Sequence, residues 1–328
     1  MELNLNPKFE HYGRFKRRLF LLIAPKAYFC LLLLAALSPL TSRENLDLTI
    51  EQSPFIIHCV SVDSLYATQA GAILSKAFEE IAFDLSVESS RPFRVYIMPT
   101  RKSFRDALKG TLPSWTGAFA VPDQHLMVIK SPRWDKSDNY EQVLIHELVH
   151  LVVHNFIGVY DLPRWIDEGM AIFYSGEDRW KTDMAVSKAL TTGSILPLSE
   201  IDDVLEYHRA KADLAYQQSF SAVNYLLATY DIEALHEIIY SLKDGVNIQK
   251  AFLNATGSNL DDFENEWKTY IKKAHRWFWF YEINEYIWAF ILVIAAFAFV
   301  LRHVRNKRIE REWRNESFNP IENDPEED

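Results

Sequence analysis

A chain of 328 residues (38.2 kDa) with 48% hydrophobic and 14% aromatic residues can bury one large core or two modest ones, which excludes a disordered or low-complexity chain. The formal charge of −10 excludes nucleic acid as the main partner, because phosphate binding wants a basic face. With only two cysteines, Cys30 and Cys59, a disulfide framework and any cysteine-rich metal module are excluded too.

In chain order, the basic stretch 1–18 (Lys8, Arg14, Lys16, Arg17, Arg18) leads into an apolar segment over 19–41. It reads as a signal peptide or as an uncleaved signal-anchor. Ala35, Ala36 and Ser38 offer small exit residues, but Pro39 sits badly just after a cut. The length of Leu19–Leu40 favours the anchor, provided Lys26 snorkels toward the basic side. Residues 54–60 and 93–98 read as strands on either side of a helix from about Leu65 to Leu85. A short helix near Ser103–Leu108 follows, then strands at Gly117–Ala120 and Leu126–Ile129 joined by VPDQ, a hairpin. Beyond Asp138 the pattern stays helical almost to the second apolar segment. The chain thus divides into a sheet-containing lobe (43–178) and a helical lobe (179–276), an α+β fold with a small mixed sheet.

Within the helical run 141–157 lies His146-Glu147-x-x-His150. Two imidazoles four residues apart share one helical face and can reach one metal ion, and the carboxylate beside the first can address a water on that ion. A third ligand is needed. His154 lies about 12 Å along the axis from His146, too far to share the ion, and reads as a packing residue or as support for the ligands. Glu168, in LPRWIDEGMAIFYS, is better placed. Pro163 can open a second helix, Gly169 lets backbones approach, and the intervening chain is long enough to bring that helix back alongside. Asp167 points about 100° away from Glu168 on such a helix and reads as a cap or surface charge. His58, His236 and His275 read as structural.

Tyr286 to Leu301 carries no charge; the aromatic run Trp277–Tyr281 precedes it and Arg302, Arg305, Lys307, Arg308, Arg311 and Arg314 follow. This pattern predicts a transmembrane helix over 283–302 and a cytoplasmic tail over 303–328, whose acidic end, Glu322–Asp328, reads as disordered. Positive residues flank both apolar segments on the outer side. That places both termini in the cytoplasm and residues 43–276 beyond the inner membrane. Outside 43–276 there are 12 basic and 12 acidic residues, which leaves 23 and 33 within it, so the exported part carries the whole net charge.

HELVH followed by LPRWIDEGMA resembles the gluzincin metallopeptidases, and more closely the small, often membrane-associated peptidase MA-like proteins. The resemblance spans roughly residues 53–275 and includes FRVYIMPTRKSF, GAFAVPDQHLMVI and the tract from AYQQSF to NEWKTYI. It implies a thermolysin-like catalytic lobe and one zinc ion per chain held by His146, His150 and Glu168. It implies Glu147 as general base and an endopeptidase acting on a peptide or protein substrate beside the lipid bilayer. The same resemblance implies that the Gly117–Ala120 strand is the edge on which an extended peptide lies. It suggests Tyr216 as oxyanion donor, with Tyr207 and His208 as alternatives. One departure stands out: thermolysin-like enzymes carry an Asp four residues after the third ligand to orient a zinc histidine, and Ile172 is there instead. The alternative reading is a catalytically silent binding or scaffolding module with the peptidase fold.

Overall fold

The computed structural model describes residues 46–89, 91–108, 116–136, 139–158, 162–176, 179–206, 208–274 and 284–316. The N-terminal apolar segment, Cys30, Tyr207, His275, the aromatic run Trp277–Tyr281 and the acidic tail lie outside these residues.

A five-stranded sheet opens the chain: β1 (Leu48–Gln52), β2 (Phe55–Cys59), β3 (Phe93–Met98), β4 (Ala118–Val121) and β5 (Leu126–Lys130), in the order β1-β2-β3-β5-β4. The central pairs β2–β3 and β3–β5 are parallel and the outer pairs antiparallel. The sheet is therefore mixed, and β4 is an edge strand. In β2 and β3, Phe55, Ile57, Cys59, Phe93, Val95 and Ile97 alternate into one core. β5 is buried along its first four residues because both its faces are covered, as parallel inner strands require. Met127 and Ile129 join the main core, whereas Leu126 and Val128 join a smaller one with Phe104 and Phe119.

Helix α1 (Ser64–Leu85) connects β2 to β3, and α2 (Arg101–Leu108) follows β3. The β4–β5 hairpin turns through a 3-10 turn at Pro122–Gln124, closed by His125 in the left-handed region (φ 50°). Then come α3 (Tyr140–Ile157), α4 (Arg164–Ser175), α5 (Arg179–Thr192), α6 (Arg209–Lys243, kinked at Asp231), α7 (Ile248–Thr256) and α8 (Leu260–Ala274). One apolar cluster runs without interruption from Phe55 to Ile271, taking in the sheet, α3, α4, α6 and α8.

The last helix, α9 (Asn284–Glu316), contains the stretch Trp288–Arg314. Among the described residues it is the one helix long and apolar enough to cross a membrane. Its large apolar side chains, Trp288, Phe290, Leu292, Phe297 and Phe299 among them, are exposed rather than packed on the domain. The sequence predicts two flanking spans; the first falls outside the described residues.

Candidate metal centre

Helix α3 is encased. Leu144, Leu148, Val149, Leu151, Val152 and Val153 are buried, and Asn139 caps its first turn by accepting from the Glu141 N–H at 3.2 Å. The face that remains carries a row of three histidines at one-turn intervals, with ring centroids 5.0 Å apart for His146–His150 and 6.4 Å for His150–His154. Helix α4 lies against this row. Pro163 directly precedes it, the Arg164 N–H donates to Asp202 at 2.9 Å, and Gly176 ends it at φ 69°.

Gly169 sets the depth at which α4 seats. A Cβ there would lie 2.5 Å from the Ser219 carbonyl oxygen and would collide with a Val223 methyl, so the α4 backbone rests directly on the α6 backbone and on the Val223 side chain. Trp165 anchors the other flank, stacked on Phe263 with centroids 5.6 Å apart. Seated this way, α4 turns two adjacent carboxylates, both almost fully buried, onto the histidine row.

The Glu168 Oε2 atom lies 3.5 Å from His146 Nε2 and 3.6 Å from His150 Nε2. Ligand atoms of the three residues all fall within 4.8 Å of one another. A tetrahedral zinc with bonds of about 2.0–2.1 Å holds neighbouring donors about 3.3 Å apart, so both the donor set and its spacing fit that ion. His154 stands outside this group, as its distance along the helix requires.

Asp167 is a correction to the sequence reading, which made it a cap or surface charge. It is buried, and its two oxygens meet His150 Nδ1 at 2.8 Å and His154 Nε2 at 2.9 Å. The 100° between neighbouring residues does not carry it to the surface, because α4 is buried over a wider arc than that. Glu168 meets the row between its first two histidines and Asp167 between its last two. Asp167 thus gives His150 a carboxylate partner where Ile172 cannot. A second group able to hold a metal, His150, His154 and Asp167, overlaps the first at His150.

Electrostatics follow from this packing. Burial alone would raise Asp167, but the His150 and His154 rings outweigh it and hold the carboxyl well below the usual range. Burial works against charge on His150, yet the Asp167 carboxylate prevails and the ring is raised. Glu168 is held below its ordinary value against burial by His146 and His150. Its other oxygen, Oε1, faces Arg164 Nη1 at 3.4 Å, a partner the sequence reading did not anticipate.

Glu147 is raised, chiefly by burial, against the opposing pull of His146 and His150, and its carboxylate accepts a backbone hydrogen bond from Ala120 on β4. Burial also raises the Tyr216 phenol, and the Glu168 and Glu147 carboxylates are near enough to raise it further. Of the alternatives to Tyr216, His208 is an exposed residue preceding α6. His58 stacks on Tyr96 at 4.8 Å, and His236 packs on Tyr240 at 4.4 Å.

The family profile of the Peptidase MA superfamily matches residues 74–273, well over half of the chain. The chain belongs to the Peptidase MA superfamily. The match takes in α3, α4 and the helices that seat them, so the His-His-Glu cluster and the family together describe a metallopeptidase-like protein. This superfamily member is also 22% identical over 228 residues to the uncharacterized protein YhcO of Bacillus subtilis (strain 168), across 64% of this chain and 70% of that one.

Proposed function

We propose that the protein is a membrane-anchored zinc peptidase that hydrolyses peptide bonds on the extracytoplasmic side. The observation that carries this reading is Glu168 Oε2 standing 3.5 and 3.6 Å from two imidazole nitrogens of a His-Glu-x-x-His helix. His146, His150 and Glu168 would hold one zinc ion, and Asp167 engages His150 through Nδ1, which leaves Nε2 as the nitrogen that would bind it. A zinc ion held there would supply Lewis acidity toward the peptide carbonyl and would make a water easier to deprotonate.

The remaining steps belong to the chain's own groups. Glu147 takes the proton of the attacking water and passes it to the leaving nitrogen. Its raised pKa moves it toward the range in which a carboxyl can do both. Tyr216, kept protonated by burial, donates to the oxyanion that develops on the carbonyl. β4 borders α3 and is an edge strand, so an extended peptide can add alongside it and bring its carbonyl to Glu147. Anchoring falls to α9 and to the N-terminal apolar segment. The basic residues beyond each keep both termini cytoplasmic.

The test is digestion of a mixed peptide library by the full chain, read by mass spectrometry. Wild type should cleave, lose cleavage on chelation and regain it with zinc, while Glu147→Gln binds zinc and does not cleave. Internal cuts mark an endopeptidase and terminal trimming an exopeptidase. A zinc-loaded wild type that leaves every peptide intact would support the binding-module reading instead.

A further inference from the structure

The first described residues arrive at one end of the sheet. β1 runs antiparallel to β2, and β2, β3 and β5 are mutually parallel, so the start of β1 sits at the C-terminal ends of those three strands. Asp47 is fastened there, accepting from the Ser61 N–H at 2.8 Å and from the Ser61 hydroxyl at 2.5 Å. Ser61 opens the turn into α1; that turn carries Val62, 70% exposed, and the first turn of α1 carries Leu65, 75% exposed. Between residues 46 and 274 these are the most exposed large aliphatic side chains among the described residues.

The corner is tied together by polar contacts. Asp63, between the two, is fully buried and accepts from Arg133 Nε at 2.9 Å, while Arg133 Nη2 donates to the Pro99 carbonyl at 3.2 Å. Exposed Arg101 and Lys102 begin α2 at the same end, and Arg101 lies 6.0 Å from the centre of the Trp134 ring. Two bare aliphatic side chains thus share one end of the sheet with two exposed cations and with the half-buried Trp134, whose indole N–H donates to the Met98 carbonyl at 2.9 Å, a combination suited to a bilayer interface.

The sequence says which surface is near. Leu46 follows Leu40, the last residue of the apolar run Leu19–Leu40, by six positions, at most about 20 Å of chain. Nine residues separate Ala274 from Asn284, a tether of at most about 30 Å between the domain and the C-terminal span.

We propose that this end of the sheet lies on the membrane, with Val62 and Leu65 inserted at the acyl boundary and Arg101, Lys102 and Trp134 at headgroup level. The inference rests on the membrane anchoring proposed above. It fixes the orientation of the domain on the bilayer, so that the sheet's C-terminal strand ends face lipid.

Phe83 supplies an internal control. It is 85% exposed but lies 18 residues further along α1, about 27 Å away, and α1 runs from this end of the sheet to the other. The experiment uses the full chain with Cys30→Ser, Cys59 being fully buried, and one environment-sensitive thiol label at Val62→Cys, Leu65→Cys or Phe83→Cys. Each is reconstituted into phosphatidylcholine–phosphatidylglycerol vesicles containing doxyl-labelled lipid. Quenching by that lipid should be about threefold or more stronger at 62 and 65 than at 83, with iodide quenching in the reverse order. Labels at 62 and 65 as open to iodide as the label at 83, in a chain that floats with the vesicles, would overturn the proposal and leave the anchor standing. Labels shielded from both quenchers in vesicles and in detergent would also overturn it, because protein and not lipid then covers the corner. A chain that fails to float with vesicles would remove the anchoring itself.

Discussion

Asp167 gives one carboxylate oxygen to each of two histidines one turn apart, His150 and His154. A histidine that lends one nitrogen to a metal must place its other N–H, and a wrong tautomer or a free ring weakens the site. Asp167→Ala is expected to lower zinc affinity about 10- to 100-fold, with Asp167→Asn intermediate, measured by competition with a chelating dye. His154→Ala should cost much less, because His154 touches Asp167 and not the ligand group. Tyr216→Phe separates catalysis from binding in the opposite way. It should leave zinc affinity unchanged and lower kcat about 100-fold, the scale of losing one oxyanion donor; unaltered turnover would take Tyr216 out of the mechanism.

At the scale of the element, the site depends on how deeply α4 seats against α3 and α6. Gly169→Ala puts a methyl group against the Ser219 carbonyl and Val223, and neither the α6 backbone nor a fully buried valine can yield cheaply. Overpacking of this kind costs about 1–3 kcal/mol, so Tm should fall by roughly 3–10 °C in thermal unfolding, with zinc affinity falling as Glu168 shifts. An unchanged Tm would mean that the helices are not in contact as described. The same elements show what the sequence made legible. β2, β3, the β4–β5 hairpin and α1 emerge from period-two or helical patterning and turn residues, because each buries a face. β1 does not emerge: Leu48–Gln52 is a five-residue edge strand whose burial merely alternates between half-buried and exposed. The three residues that could hold a metal, His146, His150 and Glu168, are readable from spacing and resemblance together. Asp167 was not, since its role depends on the width of the buried face of α4, a property of packing rather than of local sequence. The prior signal was His150 itself, whose second nitrogen needed a carboxylate, and Asp167 lay directly beside Glu168.

At the scale of the whole molecule, one apolar cluster joins the sheet to the helices that follow it, so the fold does not depend on the proposed metal to hold together. Chelation should therefore remove the binding contribution to stability, about 3–4 kcal/mol at a hundred- to thousandfold excess over Kd, lowering Tm while leaving a single cooperative transition. Loss of cooperativity on chelation would assign the metal a structural role. The proposed hydrolysis at a membrane surface brings together the apolar helix α9, the edge strand β4 and the histidine row beside it. All of it depends on the ion. The deciding measurement is the zinc content of the purified full-length chain by elemental analysis, beside Glu168→Ala, with thermal unfolding of both. About one zinc per wild-type chain, and little in a variant that still unfolds cooperatively, is the predicted result. A folded wild type without affinity for zinc, or equal zinc in both proteins, would contradict the His146–His150–Glu168 centre.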